Sequence, residues 1–445
     1  MTEAVSLPSS GPSSGARGGG EILVAALRYH GVRTAFTVAG ESYLEVLDAA
    51  VDVDDLKLVT CRQEGGLSFM AEAAGKLTGR PGVGFVTRGP GACNAAIGVH
   101  VAQQDSTPMV LFVGQSPRRN RWRDGFQEID LERLFGGMAK WVADIEDPAR
   151  IPEMVSRAFH VASSGRPGPV VLGLPEDMLA DSAAVEDSPP NPPARPFPDP
   201  ALIEQFGQAL QGAQKPLVLV GGSGWTDEAC ADLQRFAEAN RLPVASTFRR
   251  QDLFHHESPS WAGDLGYGVD AKLARRLKEC DFLIVLGARL NDVATQGYTL
   301  LDKPTPRQAL AHVHPCAEEL GRVFRPDLAI QADVAAAIAA LAALPAVEDP
   351  PWAEWTAEAR ADRVAWATPG ACVGDVDLAR VFDWLRDRIP ENAVVTVDAG
   401  NFAGWPQRHL LYRRPGRLLG AACGAMGYGL PAAIGAQMAC PKDLV

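Results

Sequence analysis

Short apolar runs alternate with stretches of helical spacing along most of the chain. Residues 21–29 place apolar side chains three and four apart, which predicts a helix; residues 34–38 predict a short strand ending at Gly40. The alternation continues through strand 56–60, small-residue helix 63–78, strand 83–87, helix 94–104 and strand 109–113. Helix 151–163 follows, then strand 170–174, bracketed by Gly168-Pro169 and Pro175. These strands are continuous apolar runs, the pattern of parallel sheets with helices on both faces. The expected fold class is therefore α/β, built from doubly wound parallel-sheet domains.

Breaks in the pattern divide the chain. Residues 1–20, rich in Ser, Gly and Pro, predict a disordered tail, and residues 21–185 the first domain. A Pro-rich stretch at 186–200 predicts a semi-rigid linker. A second α/β block spans 201–344, with strands at 217–220, 244–246, 282–286 and 308–313. A second linker is expected at 345–370. The last block, 371–445, offers helix 378–388, strand 393–398 and a Gly- and Ala-rich helix 427–438. Those elements are too few to bury a core of their own, so this third domain is expected to be partial.

Composition narrows the function classes. At 445 residues the chain exceeds one core. Its net charge of −12 and lack of a basic patch argue against nucleic-acid partners. The run Arg118-Arg119-Asn120-Arg121-Trp122-Arg123 reads as a solvated or interface loop, or as a contact to an anionic ligand. The eight cysteines form no Cys-x-x-Cys pair and are expected to be buried free thiols of a reduced, cytoplasmic protein. The longest apolar runs are of strand length or broken by glycine, so no membrane span is expected.

Chemistry concentrates in two segments, Arg62-Gln63-Glu64-Gly65-Gly66 and Val86-Thr87-Arg88-Gly89-Pro90-Gly91. Seen alone, Glu64 reads as a charge favoured by a helix N-terminus. Its neighbours point further: the glycine-rich turn and the strand leading to Gly114-Gln115 would share the carboxyl ends of parallel strands, where open α/β sheets bind ligands. In the second block, Gly221-Gly222-Ser223-Gly224 follows a strand, as a nucleotide-binding turn would, but without full G-x-G-x-x-G spacing. His312-Val313-His314 could suggest a metal pair, but no third ligand is apparent and the segment reads as a strand end.

Together these motifs resemble acetolactate synthase-type thiamine-diphosphate enzymes. Residues 37–178 resemble the family's N-terminal domain nearly end to end, carried by residues 62–66, 87–94 and 103–115, by Phe126-Gln127-Glu128, and by 165–170. The resemblance implies that Glu64 hydrogen-bonds the pyrimidine nitrogen N1′ of thiamine diphosphate and supports the imino form that removes the C2 proton. It places Gly89, Pro90 and Asn94 beside that ring and gives Gln127, with Gln115 as second candidate, a role in stabilising charge on the substrate oxygen. Phe126 and Lys140 become substrate-side candidates. In the last block Gly400 and Asn401 would approach the diphosphate. The Gly424 carbonyl would accept from the 4′-amino group, and Met426 would wedge beneath the cofactor; Met426 read without the resemblance is a core methionine.

The same resemblance leaves room for FAD at Gly221, Gly222 and Arg289. It departs at Val293, where the family usually has an arginine that grips the second keto acid. The match stops just before the family's Mg²⁺-binding Gly-Asp-Gly, so the Mg²⁺ ligands are expected beyond residue 445, in a chain that is truncated or has lost the cofactor. The implied activity is decarboxylation and carboligation of a 2-keto acid such as pyruvate, in a homodimer or homotetramer with the active site at the dimer interface. The alternatives are a non-catalytic scaffold or nucleotide-binding relative, and a flavin-dependent pyruvate oxidase-like relative.

Overall fold

A computed structural model describes residues 15–370, 372 and 374–445. They form two compact units: the described residues up to Ala194 with Gly427–Lys442, and Arg195–Met426 with Asp443–Val445.

The first unit is built on a parallel sheet of six strands: β1 (Thr34–Thr37), β2 (Lys57–Thr60), β3 (Gly82–Thr87), β4 (Met109–Gln115), β5 (Trp141–Asp144) and β6 (Pro169–Pro175). Their order is β2-β1-β3-β4-β6-β5. Every residue of β4 and β6 is buried, because helices cover both faces. Helix α1 (Gly19–Tyr29) packs on one face. Helices α2 (Glu64–Thr78) and α3 (Arg88–Asp105) pack on the other. Each fully buried Val, Leu or Phe in these layers contributes about 1.5–3 kcal/mol.

The tail expected through Gly20 ends sooner. Arg17–Gly18 pairs antiparallel with Ser182–Ala183, and α1 already begins at Gly19. Gly19 and Gly20 fit because backbone from Leu179 and Glu45 lies where a Cβ would stand. Residues 1–14 of that expectation lie outside the described residues. Helix α3 likewise starts six residues before the expected Asn94.

The second unit carries another six-stranded parallel sheet: β7 (Pro216–Val220), β8 (Val244–Thr247), β9 (Trp261–Leu265), β10 (Phe282–Leu286), β11 (Ala309–His314) and β12 (Leu328–Gln331). The order β9-β8-β7-β10-β11-β12 reverses between β7 and β10, as in dinucleotide-binding folds. Helix α4 (Asp227–Ala239) follows β7. The expected second linker is largely helical: α5 (Ala353–Ala367) packs against the sheet, with Trp352 fully buried before it. Two strands, β13 (Val395–Val397) and β14 (Leu418–Gly420), form a small parallel sheet.

The glycine-rich helix α6 (Gly429–Ala439) belongs to the first unit. It lies along α2, where a Cβ on Gly435 would stand 2.5 Å from the Met70 carbonyl oxygen. Only glycine permits so close an approach.

Candidate active site

The order of the first sheet places its reversal between β1 and β3, so the carboxyl ends of these strands open the crevice where such sheets bind ligands. Glu64 is the first residue of α2 and half-buried. Gln63 caps the helix, its side-chain oxygen accepting from the Gly66 amide at 2.9 Å. Asn94 on α3 donates to Glu64 Oε2 at 3.0 Å. The carboxylate is therefore held by one side-chain amide at a helix N-terminus and keeps further acceptor capacity.

The turn after β3 supplies the second wall. Arg88 opens α3 at a φ of +39°, a conformation non-glycine residues seldom adopt. Its guanidinium holds this geometry by pairing with Glu41 at 2.9 Å and Glu176 at 2.7 Å. The Gly89 amide donates to the Gln127 carbonyl at 2.9 Å, and a Cβ at Gly89 would stand 3.0 Å from that oxygen. Pro90 is exposed on the first turn. Gln127 also lies at positive φ, +59°, and its buried Oε1 has no partner among the described residues. A buried acceptor left open at a crevice suits a donor on a bound molecule.

Tyr43, fully buried, donates to the Val38 carbonyl at the end of β1. Burial pushes its hydroxyl up to about 12, with the charges of Glu64 and Glu41 adding to this against a hydrogen bond from Thr37. Tyr43 and the Arg88–Glu41–Glu176 cluster brace the crevice, and no local pattern announced them, because their partners are brought together only by the sheet.

Other candidates fall elsewhere. Gln115 is buried and donates to the Ile129 carbonyl at 3.1 Å, bracing the segment that carries Gln127. Phe126 is 72% exposed, with Arg88 5.8 Å from its ring centre. Lys140 does not join the site. It precedes β5, at the amino end of the sheet, and donates to the carbonyls of Val161 and Ser164. A substrate role for Lys140 is corrected accordingly. Two arginines of the basic run are paired locally: Arg118 with Asp177 and Asp181, and Arg121 with Asp144 and Glu146.

In the second unit, Gly400 has a φ of +138° and is exposed, and Asn401 opens a short turn after β13. Asn401 lines a cavity of about 380 Å³ together with Asp264, Tyr267, Arg363, Trp405 and Gln407. Two side chains from the turn after β8 steady this region. Asp252 accepts from the amides of Arg417 and Leu418 at 2.9 and 3.0 Å, and Arg249 donates to the Asp398 carbonyl at 3.2 Å. Burial pushes the Asp252 carboxyl up, opposed by the charge of Arg250 and by those amides. Gly424 is exposed at a φ of +71°, and Met426 is 79% exposed, so it is not the core methionine that hydrophobicity alone would suggest.

Gly221, Gly222 and Arg289 lie at the reversal of the second sheet. A Cβ on Gly222 would meet the Gly287 carbonyl at 2.0 Å, so these glycines serve contact between two loops. Trp225 donates to the Gly221 carbonyl at 2.8 Å. Thr226 caps α4 by accepting from Ala229, and Asp227 and Glu228 follow in its first turn. Arg289 is half-buried on the far strand end. His312 Nε2 meets the Ala288 carbonyl and His314 Nδ1 the backbone of Cys316, and burial pushes His312 down. Among the described residues no group of three or more His, Cys, Asp or Glu side chains is placed to hold a metal ion. None of their helices is long and apolar enough to cross a membrane. None of the cysteines is in a disulfide among the described residues, but only Cys61, Cys230 and Cys280 are buried; Cys93 and Cys423 are exposed, contrary to expectation.

A carboxylate-headed helix beside a glycine-rich turn, at the reversal of a parallel sheet, defines an α/β protein with a cofactor-type crevice. The chain belongs to the thiamine pyrophosphate enzymes: residues 17–134 match their N-terminal TPP binding domain, 203–341 their central domain and 398–445 their C-terminal TPP binding domain. It is 34% identical to the acetolactate synthase large subunit of Parasynechococcus marenigrum (strain WH8102), over 96% of this chain and 70% of that one. Identity to the acetolactate synthase isozyme 2 large subunit of Escherichia coli (strain K12) is 32%, over 96% and 77% of the two chains.

Proposed function

We propose that this protein uses thiamine diphosphate to decarboxylate a 2-keto acid such as pyruvate and join the product to a second carbonyl compound, as an acetolactate synthase-like carboligase. The observation that carries this is Glu64, held by Asn94 at the head of α2 beside the Gly89 turn. When bound, thiamine diphosphate supplies the carbon nucleophile and the electron sink. Glu64 would accept a hydrogen bond from a ring nitrogen of the cofactor and exchange a proton there. Asn94 keeps the carboxylate aimed, and Gly89 and Pro90 are assigned to the wall beside the ring. The open acceptor of Gln127 would orient a donor on cofactor or substrate. Gly400, Asn401, Gly424 and Met426 are assigned to the diphosphate side. Val293, in place of the family's arginine, favours an acceptor other than a second 2-keto acid. The catalytic unit is proposed to be a dimer.

Flavin is left out of this reading. The Gly222–Gly287 contact closes the turn after β7, Trp225 covers Gly221, and two carboxylates flank the capped start of α4. A diphosphate there would meet like charge and spent amides.

The test is exchange of the C2 proton of bound thiamine diphosphate for deuterium, followed by NMR after acid quench, in the parent and Glu64→Gln. The parent should exchange rapidly, and the variant should fall by a factor of about 100 or more, the lower range for general acid–base groups. Equal rates in both would remove Glu64 from the chemistry.

A further inference from the structure

A second carboxylate on α2, unrelated to the crevice, is fully buried. Glu72 has no exposure, and it accepts three hydrogen bonds or ion contacts. Thr107 Oγ1 donates to Oε1 at 2.6 Å, the Tyr428 hydroxyl donates to Oε2 at 2.6 Å, and Lys76 Nζ lies 3.3 Å from Oε1. Lys76 also pairs with Asp105 and sits 5.7 Å from the centre of the Tyr428 ring. A buried carboxylate needs such partners, so the Tyr428 hydroxyl is a committed contact and not a chance one.

Tyr428 is itself fully buried, edge-on to Phe69, with ring centres 5.4 Å apart. Its neighbours are Gly427, at a φ of +82°, and Gly429. Flanking glycines leave the backbone free to take many paths. One anchored side chain between them therefore sets where the chain enters α6. The same face of α6 continues the contact two turns on, where Gly435 rests on the Met70 backbone.

We infer that Tyr428 is a positioning residue: its bond to Glu72 registers the glycine-rich entry to α6 against the helix that Glu64 heads. This deepens the cofactor reading proposed above and rests on it. Gly427 and Glu64 are then referred to one rigid element, α2. The role needs the hydroxyl, because the ring alone would fill the same space without fixing the turn.

The test uses the full-length protein, its Tyr428→Phe variant and three readouts. Amide hydrogen exchange over residues 427–439, without cofactor, should speed up about tenfold or more, the worth of a hydrogen bond to a buried charge. The C2 exchange rate of thiamine diphosphate at saturation should fall by a similar factor. The melting midpoint should move by only a few degrees, since packing is kept. Unchanged amide exchange over 427–439 overturns the inference, and so does an unchanged C2 rate in a parent that exchanges. A parent with no C2 exchange refutes the cofactor reading instead, and amide exchange then decides on the Tyr428–Glu72 anchor alone.

Discussion

Trp352 tests whether the segment between the second sheet and the last block is structure or tether. It is fully buried, and its indole nitrogen donates to the Asn240 carbonyl at 2.8 Å. The Asn240 side chain in turn accepts from the Val347 amide at 2.9 Å. Trp355, three residues on, donates to the Pro216 carbonyl at 3.1 Å and stacks under Arg276, 4.5 Å from its ring centre. Trp352→Ala removes a large side chain from the core and should cost about 3–5 kcal/mol. Trp352→Phe keeps most of the packing but orphans the buried carbonyl, at a cost of about 1–3 kcal/mol. For a unit of this size, about 2–4 °C of melting temperature goes with each kcal/mol. Alanine should thus lower the second unit's midpoint by about 6–20 °C and phenylalanine by about 2–12 °C. Thermal melting by circular dichroism, with tryptophan fluorescence as a second probe, measures both. A flexible linker predicts a change within about 0.5 kcal/mol for either variant. That result would refute the packing described for residues 345–367.

Two further predictions concern pH and helix contact. His256 is pushed down to about 3 by burial first and by the charge of Arg363 next, while it stacks on Trp261 with ring centres 4.5 Å apart. Its folded pKa lies below the unfolded value of about 6.5, so between these limits only the unfolded chain binds the proton. This group therefore removes up to about 1.4 kcal/mol of stability per unit as pH falls below about 6.5, and removes none above it. His256→Phe should flatten the pH dependence of the midpoint by about one proton in that window; parallel curves for parent and variant would contradict the assignment. Gly435→Val should destabilise the first unit by about 1–3 kcal/mol through its clash with Met70, whereas Gly404→Ala, which meets nothing within 4 Å, should stay within about 1 kcal/mol. Equal melting of the two glycine variants would mean that α6 does not pack on α2.

The buried strands were legible because their information is local. A run such as Met109–Val113, apolar at every position and bracketed by Pro108 and Gly114, reads as a short strand covered on both faces. The segment around Glu64 was legible for the same reason, since an acid at the start of a small-residue helix is written in consecutive residues. Strands Trp141–Asp144, Trp261–Leu265 and Leu328–Gln331 were not, because each is short, carries polar residues and depends on a neighbour in the sheet. Helix Ala353–Ala367 hid behind a Pro- and Asp-rich approach and shows its buried tryptophans only against the sheet.

Chain order likewise could not reveal that Lys140 stands at the wrong end of the sheet. Nor could it reveal that Arg88 is clamped by Glu41 and Glu176, or that Glu72 meets Tyr428 from far along the chain. Sequence by itself determined the period of each strong element and the residue types at the crevice, because backbone preference and burial act over a few residues. Tertiary structure alone decided which side chains meet and which strand end each faces, because those contacts depend on sheet order and on where the chain returns.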